Sequence, residues 1–110
     1  LLTILKADSP VGFAMVRTSA MPKGNERCEY SMAEFFIARE WRRRGLGQEA
    51  VRLICDRFAG RWHIMEYLRN APAVAFWRRV VNAYTHSNYR ERSSSGEVHQ
   101  YFESGAGRTR

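Results

Sequence analysis

The sequence predicts a mixed α/β fold built on one central sheet. Two observations support this: apolar runs with strand composition recur along the chain, and only two segments, both after residue 45, have helical spacing. The predicted element order is β-β-β-α-β-α-β-β, which gives a single mixed sheet. At 110 residues the chain has room for one domain with a core. We assign residues 1–103 to that domain and residues 104–110 to a frayed tail.

The first third of the chain predicts three strands. Residues 1–6 are apolar, residues 7–10 have turn chemistry and residues 11–17 are strand-like again, so the chain opens on a hairpin. Residues 18–27 contain proline, glycine and asparagine and predict a loop. Residues 29–38 form a longer apolar run, which is typical of a central strand covered on both faces.

Two helices follow, with a strand between them at residues 63–68. The first begins after Gly45 and ends near Gly60. Its apolar stripe consists of Leu46, Ala50, Val51, Ile54, Cys55 and Phe58. The second helix has Asn70 as its predicted N-cap and Pro72 in its first turn. Its predicted inward face consists of Ala73, Phe76, Trp77 and Val80.

The pattern weakens after residue 81. Tyr84, Tyr89 and the apolar residues 98–102 favour two last strands around the polar stretch at residues 90–96.

Charge and composition narrow the function without deciding it. The net charge is +7, from 18 Lys and Arg against 11 Asp and Glu. This excess indicates either an anionic partner or a solvated arginine-rich surface. No apolar run approaches the ~20 residues of a membrane-spanning helix, and no targeting segment is recognisable, so we expect a cytoplasmic protein with no membrane partner. Cys28 and Cys55 have no metal-ligand spacing and are predicted to be buried thiols, so no metal is expected.

The glycine-rich junction at residues 42–47 is the strongest candidate site. A helix N-terminus has unpaired N–H groups and partial positive charge, so it can hold an anion that the glycines allow to approach closely. A plain tight turn at Gly45 is the structural alternative. Residues 45–50 also fit the dinucleotide fingerprint, with Glu66 as the ribose-binding acid. That hypothesis is disfavoured, because a charged connection separates the strand from Gly45 and only 44 residues follow Glu66.

Two motifs resemble those of the GNAT N-acetyltransferase superfamily. Its acetyl-coenzyme A signature R-x-x-G-x-G is matched by Arg42, Gly45 and Gly47, and its N-x-x-A-x-x-Φ-Y helix start by Asn70, Ala73, Phe76 and Trp77. Tryptophan stands where that motif has tyrosine. The resemblance implies a largely antiparallel central sheet flanked by helices, without the first strand and first helices of a typical member. The lack of these first elements would be explained if the sequence is a fragment of a longer chain. It would also be explained if another chain completes the sheet, as in a homodimer.

The resemblance also implies the ligands. Acetyl-coenzyme A would be the co-substrate, with its pyrophosphate on the loop amides and its pantetheine arm on the central strand. An amine would be the acceptor. Asn70 would hydrogen-bond the pantetheine arm or act as a plain helix cap. The implied coenzyme A-binding residues are Phe36, Ile37, Arg42, Arg43, Arg44, Gly45, Leu46, Gly47, Asn70, Ala73 and Phe76.

Two residues are candidates for the chemistry. An amine with a pKa of about 10.4 must lose a proton before it attacks a thioester. Glu34 resembles the glutamate that several family members use as that base, although a solvated or arginine-paired glutamate is equally open. Tyr84 is the nearest phenol that could replace the tyrosine missing at Trp77; Tyr67, Tyr89 and unassisted departure of the thiolate remain alternatives. His63, His86 and His99 form no recognisable triad with a serine and are predicted to be surface or satisfied interior residues.

The resulting hypothesis is an N-acetyltransferase that works by direct attack in a ternary complex. A non-catalytic acyl-coenzyme A-binding module is the first alternative, because Trp77 replaces the expected acid. A basic nucleic-acid-binding domain is the second, and only the charge favours it.

Overall fold

The computed structural model of the protein describes residues 1–18 and 28–105, which form six strands and two α-helices. The elements are β1 (Leu2–Lys6), β2 (Ser9–Thr18), β3 (Tyr30–Ile37), α1 (Leu46–Arg57), β4 (Arg61–Tyr67), α2 (Ala71–Thr85), β5 (Arg90–Ser94) and β6 (Glu97–Glu103). A short 3-10 turn, Arg39–Trp41, precedes α1. This order confirms the predicted one. Residues 19–27 of the predicted loop and residues 106–110 of the predicted tail lie outside the described residues.

The sheet is mixed and mostly antiparallel, with the strand order β1-β2-β3-β4-β6-β5. Only β3 and β4 run parallel, because α1 carries the chain from the end of one strand back to the start of the other. The four remaining pairings are antiparallel. The predicted fold class is therefore confirmed.

The centre of the sheet opens between β3 and β4. The two strands pair only at Tyr30 with Trp62 and at Ser31 with His63, although β3 continues to Ile37. On its other edge β3 pairs with β2 along its length, with a register shift that leaves Ala33 as an extra residue. Such a bulge bends a strand and increases its twist. The strands therefore diverge after the second pair and leave one edge of β3 open; we call this gap the splay.

Both helices pack on the same face of the sheet, where the main core lies. Its members from the helices are Val51, Ile54 and Cys55 of α1 and Trp77, Val80, Val81 and Tyr84 of α2. Trp62 of β4 is fully buried, and its Nε1 donates to Phe58 O at 2.8 Å. Both cysteines are buried thiols, as predicted.

The end of the chain differs from the prediction. Helix α2 extends to Thr85, because Val81 and Tyr84 continue its buried stripe past Trp77, so the assignment of Tyr84 to a strand is wrong. The polar stretch after it contains β5, an exposed edge strand whose charged side chains suit that position. Ser104, assigned to the frayed tail, is buried and its N–H donates to Gly60 O at 2.9 Å.

Candidate active site

The connection from β3 to α1 folds back on the end of the strand. Arg42 Nε donates to Ile37 O at 2.8 Å, and the Arg42 guanidinium lies 5.4 Å from the Phe36 ring centre. Arg43 and Gly45 both have left-handed backbone, with φ of 62° and 76°. Glycine adopts that conformation without strain, whereas arginine does not. The loop is therefore a fixed turn, and its conformation explains the glycine at residue 45.

Helix α1 begins without a side-chain cap. Its N-cap is Gly45, so the N–H groups of the first turn have no capping oxygen from that residue. A Cβ at Gly45 would have none of the described atoms within 4 Å, so this stretch of backbone is open to approach. Partial positive charge at the helix start and the exposed side chains of Arg43 and Arg44 suit an anion such as a pyrophosphate.

Gly47 has a packing role of its own. A Cβ at Gly47 would lie 2.9 Å from Phe76 Cε1 and 3.9 Å from Ile37 Cγ1. The absence of a side chain therefore lets α1 and α2 begin side by side against the end of β3. This requirement holds whether or not a phosphate binds, and it adds to the predicted role of Gly47.

The open edge of β3 presents Ile37 to the splay. Ala38 N–H donates to Val11 O at 2.7 Å, and Phe36 O packs against Gly12, so residues 36 and 38 turn their peptide groups toward β2. Because peptide groups alternate along a strand, those of Ile37 point away from β2 and toward the splay. The backbone of Ile37 therefore fits the predicted pairing with a pantetheine arm. The backbone of Phe36 belongs to the β2 pairing instead, and its contact with the coenzyme stays a prediction.

The start of α2 packs beside the glycine loop and the end of β3. Asn70 Oδ1 accepts from Ala73 N–H at 3.3 Å and caps the helix, while the amide nitrogen of the same side chain is a separate donor. Phe76, one turn further on, lies 5.8 Å from Phe35 of β3, centre to centre. Ala73 is half-buried beside it. The structure thus brings together the glycine loop, Ile37 and the predicted residues of α2.

Glu34 lies on the opposite face of the sheet. Phe35 packs against Phe76 and Trp77 on the helix side, so Glu34 and Phe36 point away from the helices. Glu34 is exposed. Its position next to the splay is compatible with contact to an acceptor that enters from the face without helices.

Tyr84 is not brought to the loop. Its hydroxyl donates to Asp56 Oδ1 at 2.6 Å and accepts from Gly105 N–H at 3.3 Å. Asp56 is near the end of α1 and Gly45 at its start, about 16 Å apart at 1.5 Å per residue. Burial, and then the bond to Asp56, raise the pKa of Tyr84 to about 12. The Tyr84 hydroxyl is therefore held at the far end of α1 from the glycine loop, and its catalytic role stays a prediction.

Trp77 fills the place where the family motif has tyrosine. It is buried, and its ring lies 5.4 Å from Phe35 and 5.0 Å from Phe76, centre to centre. An indole N–H has too high a pKa to act as a general acid.

Glu66 is buried, which excludes the dinucleotide hypothesis for it. Its Oε1 accepts from Gln100 Nε2 at 2.7 Å, and only 5% of the residue is exposed. Burial raises the pKa of Glu66 to about 7. A side chain held in this way against β6 cannot reach a ribose at the glycine loop.

Sequence reasoning missed a cluster on the face without helices. His63 and His99 are buried, as one alternative predicted, but they are bonded to each other and His63 also contacts Ser31. The alternation of apolar and polar residues in β4 and β6 indicated which side chains share a face, but no signal in the sequence gave the pairing of these strands.

In residues 1–18 and 28–105 no helix is long and apolar enough to cross a membrane. Within the same ranges no three His, Cys, Asp or Glu side chains are grouped so that they could hold a metal ion.

A mixed sheet that opens beside an uncapped, glycine-rich helix start has the architecture that the motif resemblance implied, that of the GNAT acetyltransferase class. The profile of the acetyltransferase (GNAT) family matches residues 1–82 of the 110, and the chain belongs to this family. No curated protein matches the chain. The family match covers the glycine loop and Asn70 and stops before Tyr84, β5 and β6.

Proposed function

We propose that the protein is an N-acetyltransferase that transfers an acetyl group from acetyl-coenzyme A to an amine by direct attack. One observation carries the proposal: the open edge of β3 lies directly beside the uncapped start of α1. A ligand with an anionic group and an extended amide-bearing arm would find both of its partners there. Acetyl-coenzyme A has this composition, and its thioester supplies the acetyl group.

The residues around the splay account for binding. The first-turn amides from Gly45 to Gln48 would hold the pyrophosphate, with Arg43 and Arg44 adding charge-assisted contacts. Ile37 and the Asn70 side chain would hydrogen-bond the arm. Arg42 is committed to Ile37 O, so its role is to hold the loop in place.

Glu34 is the proposed general base. The acceptor amine must lose a proton before or during attack, and Glu34 stands on the acceptor side of the splay. With the coenzyme on the helix side and the amine on the other, the two reactants would meet across the gap between β3 and β4. This arrangement requires no covalent enzyme intermediate.

The thiolate leaves without a tyrosine in this mechanism. Trp77 cannot donate a proton, and the Tyr84 hydroxyl is bound to Asp56 at the far end of α1. A thiol with a pKa near 8.5 leaves far more readily than an amine, so departure with water as the proton source is sufficient.

A non-catalytic acyl-coenzyme A-binding module is the second candidate, and the same Trp77 favours it. Nucleic-acid binding has only the net charge in its support. The cytoplasmic location and a sheet completed by a second copy of the chain stay predictions of the proposal.

A panel of amines tests the proposal directly. The protein is incubated with acetyl-coenzyme A and small polyamines, aminoglycosides and peptides, and products are identified by mass spectrometry, while calorimetry measures coenzyme A affinity. Glu34→Gln should lower turnover about 10²–10⁴-fold with coenzyme A affinity unchanged, because the base acts on the amine. Glu103→Gln, at an exposed position in β6, is the matched control and should behave as wild type.

The other outcomes decide between the candidates. Wild-type turnover by the Glu34→Gln variant would remove Glu34 as the base. Binding of coenzyme A without turnover of any amine would favour the binding module. Salt-sensitive retention of DNA without coenzyme A binding would favour the nucleic-acid alternative.

A further inference from the structure

Four side chains form a hydrogen-bonded chain across the face of the sheet that has no helices. Ser31 Oγ lies 3.3 Å from His63 Nδ1, His63 Nε2 lies 2.7 Å from His99 Nδ1, and His99 Nε2 lies 3.0 Å from Glu97 Oε1. The chain links β3 to β6 through β4. It uses both nitrogens of both imidazoles.

The chain is an interior feature. His63 is 6% exposed and His99 4% exposed, and the ring of Tyr101 lies 5.1 Å from that of His63, centre to centre. Buried polar groups destabilise a fold unless they are hydrogen-bonded, so two adjacent buried imidazoles need partners of this kind. The register of β4 and β6 supplies them, because His63 pairs with Tyr101 and His99 with Met65, which places the two rings diagonally.

One end of the chain reaches the candidate active site. Ser31 and His63 form the last residue pair before β3 and β4 diverge, so the hydroxyl lies at the closed end of the splay. Ser31 is only half-buried and precedes Glu34 by three residues on the same strand. The chain thus begins on the face from which the proposed mechanism brings the acceptor amine.

The geometry permits one consistent direction of donation toward Glu97. The Ser31 hydroxyl donates to His63 Nδ1, His63 Nε2–H donates to His99 Nδ1, and His99 Nε2–H donates to the Glu97 carboxylate. The reverse direction, from a protonated Glu97 back to Ser31, contains one more proton. Addition of a proton at the Ser31 end therefore converts one arrangement into the other.

We propose that this chain is a proton relay: after Glu34 has taken the first proton of the protonated acceptor amine, the chain takes the second proton, which the nitrogen releases once it has attacked the thioester, and delivers it to Glu97; the inference rests on the proposed acetyl transfer. The amine N–H proton passes to Ser31 Oγ as the hydroxyl proton moves to His63 Nδ1. His63 then gives its Nε2 proton to His99 Nδ1, and His99 gives its own to Glu97. One N–H bond of the amine breaks, one O–H bond forms at Glu97, and no redox change occurs.

The surrounding charges favour Glu97 as the end point. The titratable and charged neighbours on this face of the paired strands are Arg17, Glu34, Arg61, Tyr67, Arg90, Arg92, Tyr101 and Glu103. Four of these neighbours are arginines, whose positive charge attracts a carboxylate. When Glu97 already carries a proton, the relay has no acceptor for another, so turnover must fall in acid.

The test combines substitutions with a spectroscopic measurement. Ser31→Ala removes only the hydroxyl, and it should lower kcat at least about tenfold and displace the acid limb of the pH–rate profile, with coenzyme A affinity unchanged. Ser31→Thr restores a hydroxyl in a strand-compatible side chain and should restore both. His63→Gln should resemble Ser31→Ala, whereas His86→Gln, at an exposed histidine, is the control.

Nitrogen-15 NMR of the imidazoles in the wild-type protein is independent of turnover. The proposal expects both neutral rings to carry their proton on Nε2. Nδ1-protonated rings at neutral pH would overturn it, and so would an unchanged pH profile in both Ser31→Ala and His63→Gln. If wild-type protein turns over no amine, the proposed function itself fails, and the relay fails with it; turnover with unchanged profiles removes the relay alone.

Discussion

The hydroxyl of Tyr84 and the carboxylate of Glu34 show how residue chemistry depends on location. A phenol with its proton held by Asp56 at 2.6 Å and its pKa raised to about 12 is a poor proton donor to a distant thiolate. Its oxygen instead connects the end of α1 to Gly105. Glu34 is an exposed carboxylate beside the splay, available to substrate.

Replacement of Tyr84 should therefore change stability and not catalysis. Tyr84→Phe keeps the ring that packs on Phe102 and loses the bonds to Asp56 and Gly105. We expect the unfolding free energy to fall by about 1 kcal/mol, or about 4–8 °C in Tm for a domain of this size. Thermal and urea unfolding measure the effect, with the exposed Tyr67→Phe as control. A loss of turnover, or of the alkaline limb of the pH–rate profile, would return Tyr84 to the mechanism.

At the scale of elements, β4 and β6 share a buried polar pair beneath α2. Glu66 Oε2 and Gln100 Oε1 are the two buried side-chain atoms of the described residues that have no hydrogen-bond partner in the structure. A proton on Glu66 Oε2 can satisfy both atoms, because Gln100 Nε2 already donates to Glu66 Oε1 at 2.7 Å. Burial is the main cause that raises the pKa of Glu66 to about 7. The hydrogen bond from Gln100 is the next largest effect, and it lowers the pKa.

This pair makes stability depend on pH. Below pH 4.5 Glu66 is protonated in the folded and unfolded states alike. From pH 4.5 to about 7 the unfolded chain loses this proton first, so the unfolding free energy falls as the pH rises, by about 3 kcal/mol in all. Above that range both states are ionised and the slope disappears.

Glu66→Gln keeps the shape of the side chain and removes its titration. Urea unfolding at pH 5 and pH 8 should show that the wild-type protein loses more stability than the variant over this interval, and that the variant is the more stable at pH 8. Glu103→Gln should follow the wild type. Parallel losses in wild type and Glu66→Gln would show that Glu66 does not cause the dependence.

At the scale of the whole molecule, local sequence patterns predicted the strands and helices. The contacts between distant residues depend on how the strands pair, which those patterns do not show. The order of strands and helices, the α1 stripe and the Asn70 cap all depend on residues close in sequence, and all are confirmed. The Ser31–His63 and His63–His99 contacts span 32 and 36 residues. They depend on strand register, which cannot be predicted from one sequence. Tyr84 was misplaced because its helix continues for one more turn into a segment that also has strand composition.

The candidate site also has parts that short motifs predict and parts that depend on strand pairing. The glycine loop and the start of α2 were predicted from two short motifs, and the structure places them in contact through Gly47 and Phe76. The choice of Ile37 over Phe36 depends on which peptide groups face β2, and that choice required the sheet. The splay itself depends on a bulge at Ala33 that composition does not indicate.

The most direct test of the central claim is a backbone amide NMR titration of the protein with coenzyme A. If the start of α1 and the open edge of β3 form the site, the largest saturable shifts will be at residues 45–48, Ile37 and Asn70. Amides near Asp56 and Tyr84, at the far end of both helices, should change little. Shifts centred on the far end of the helices or on β5, or no saturable change at any amide, would contradict the account.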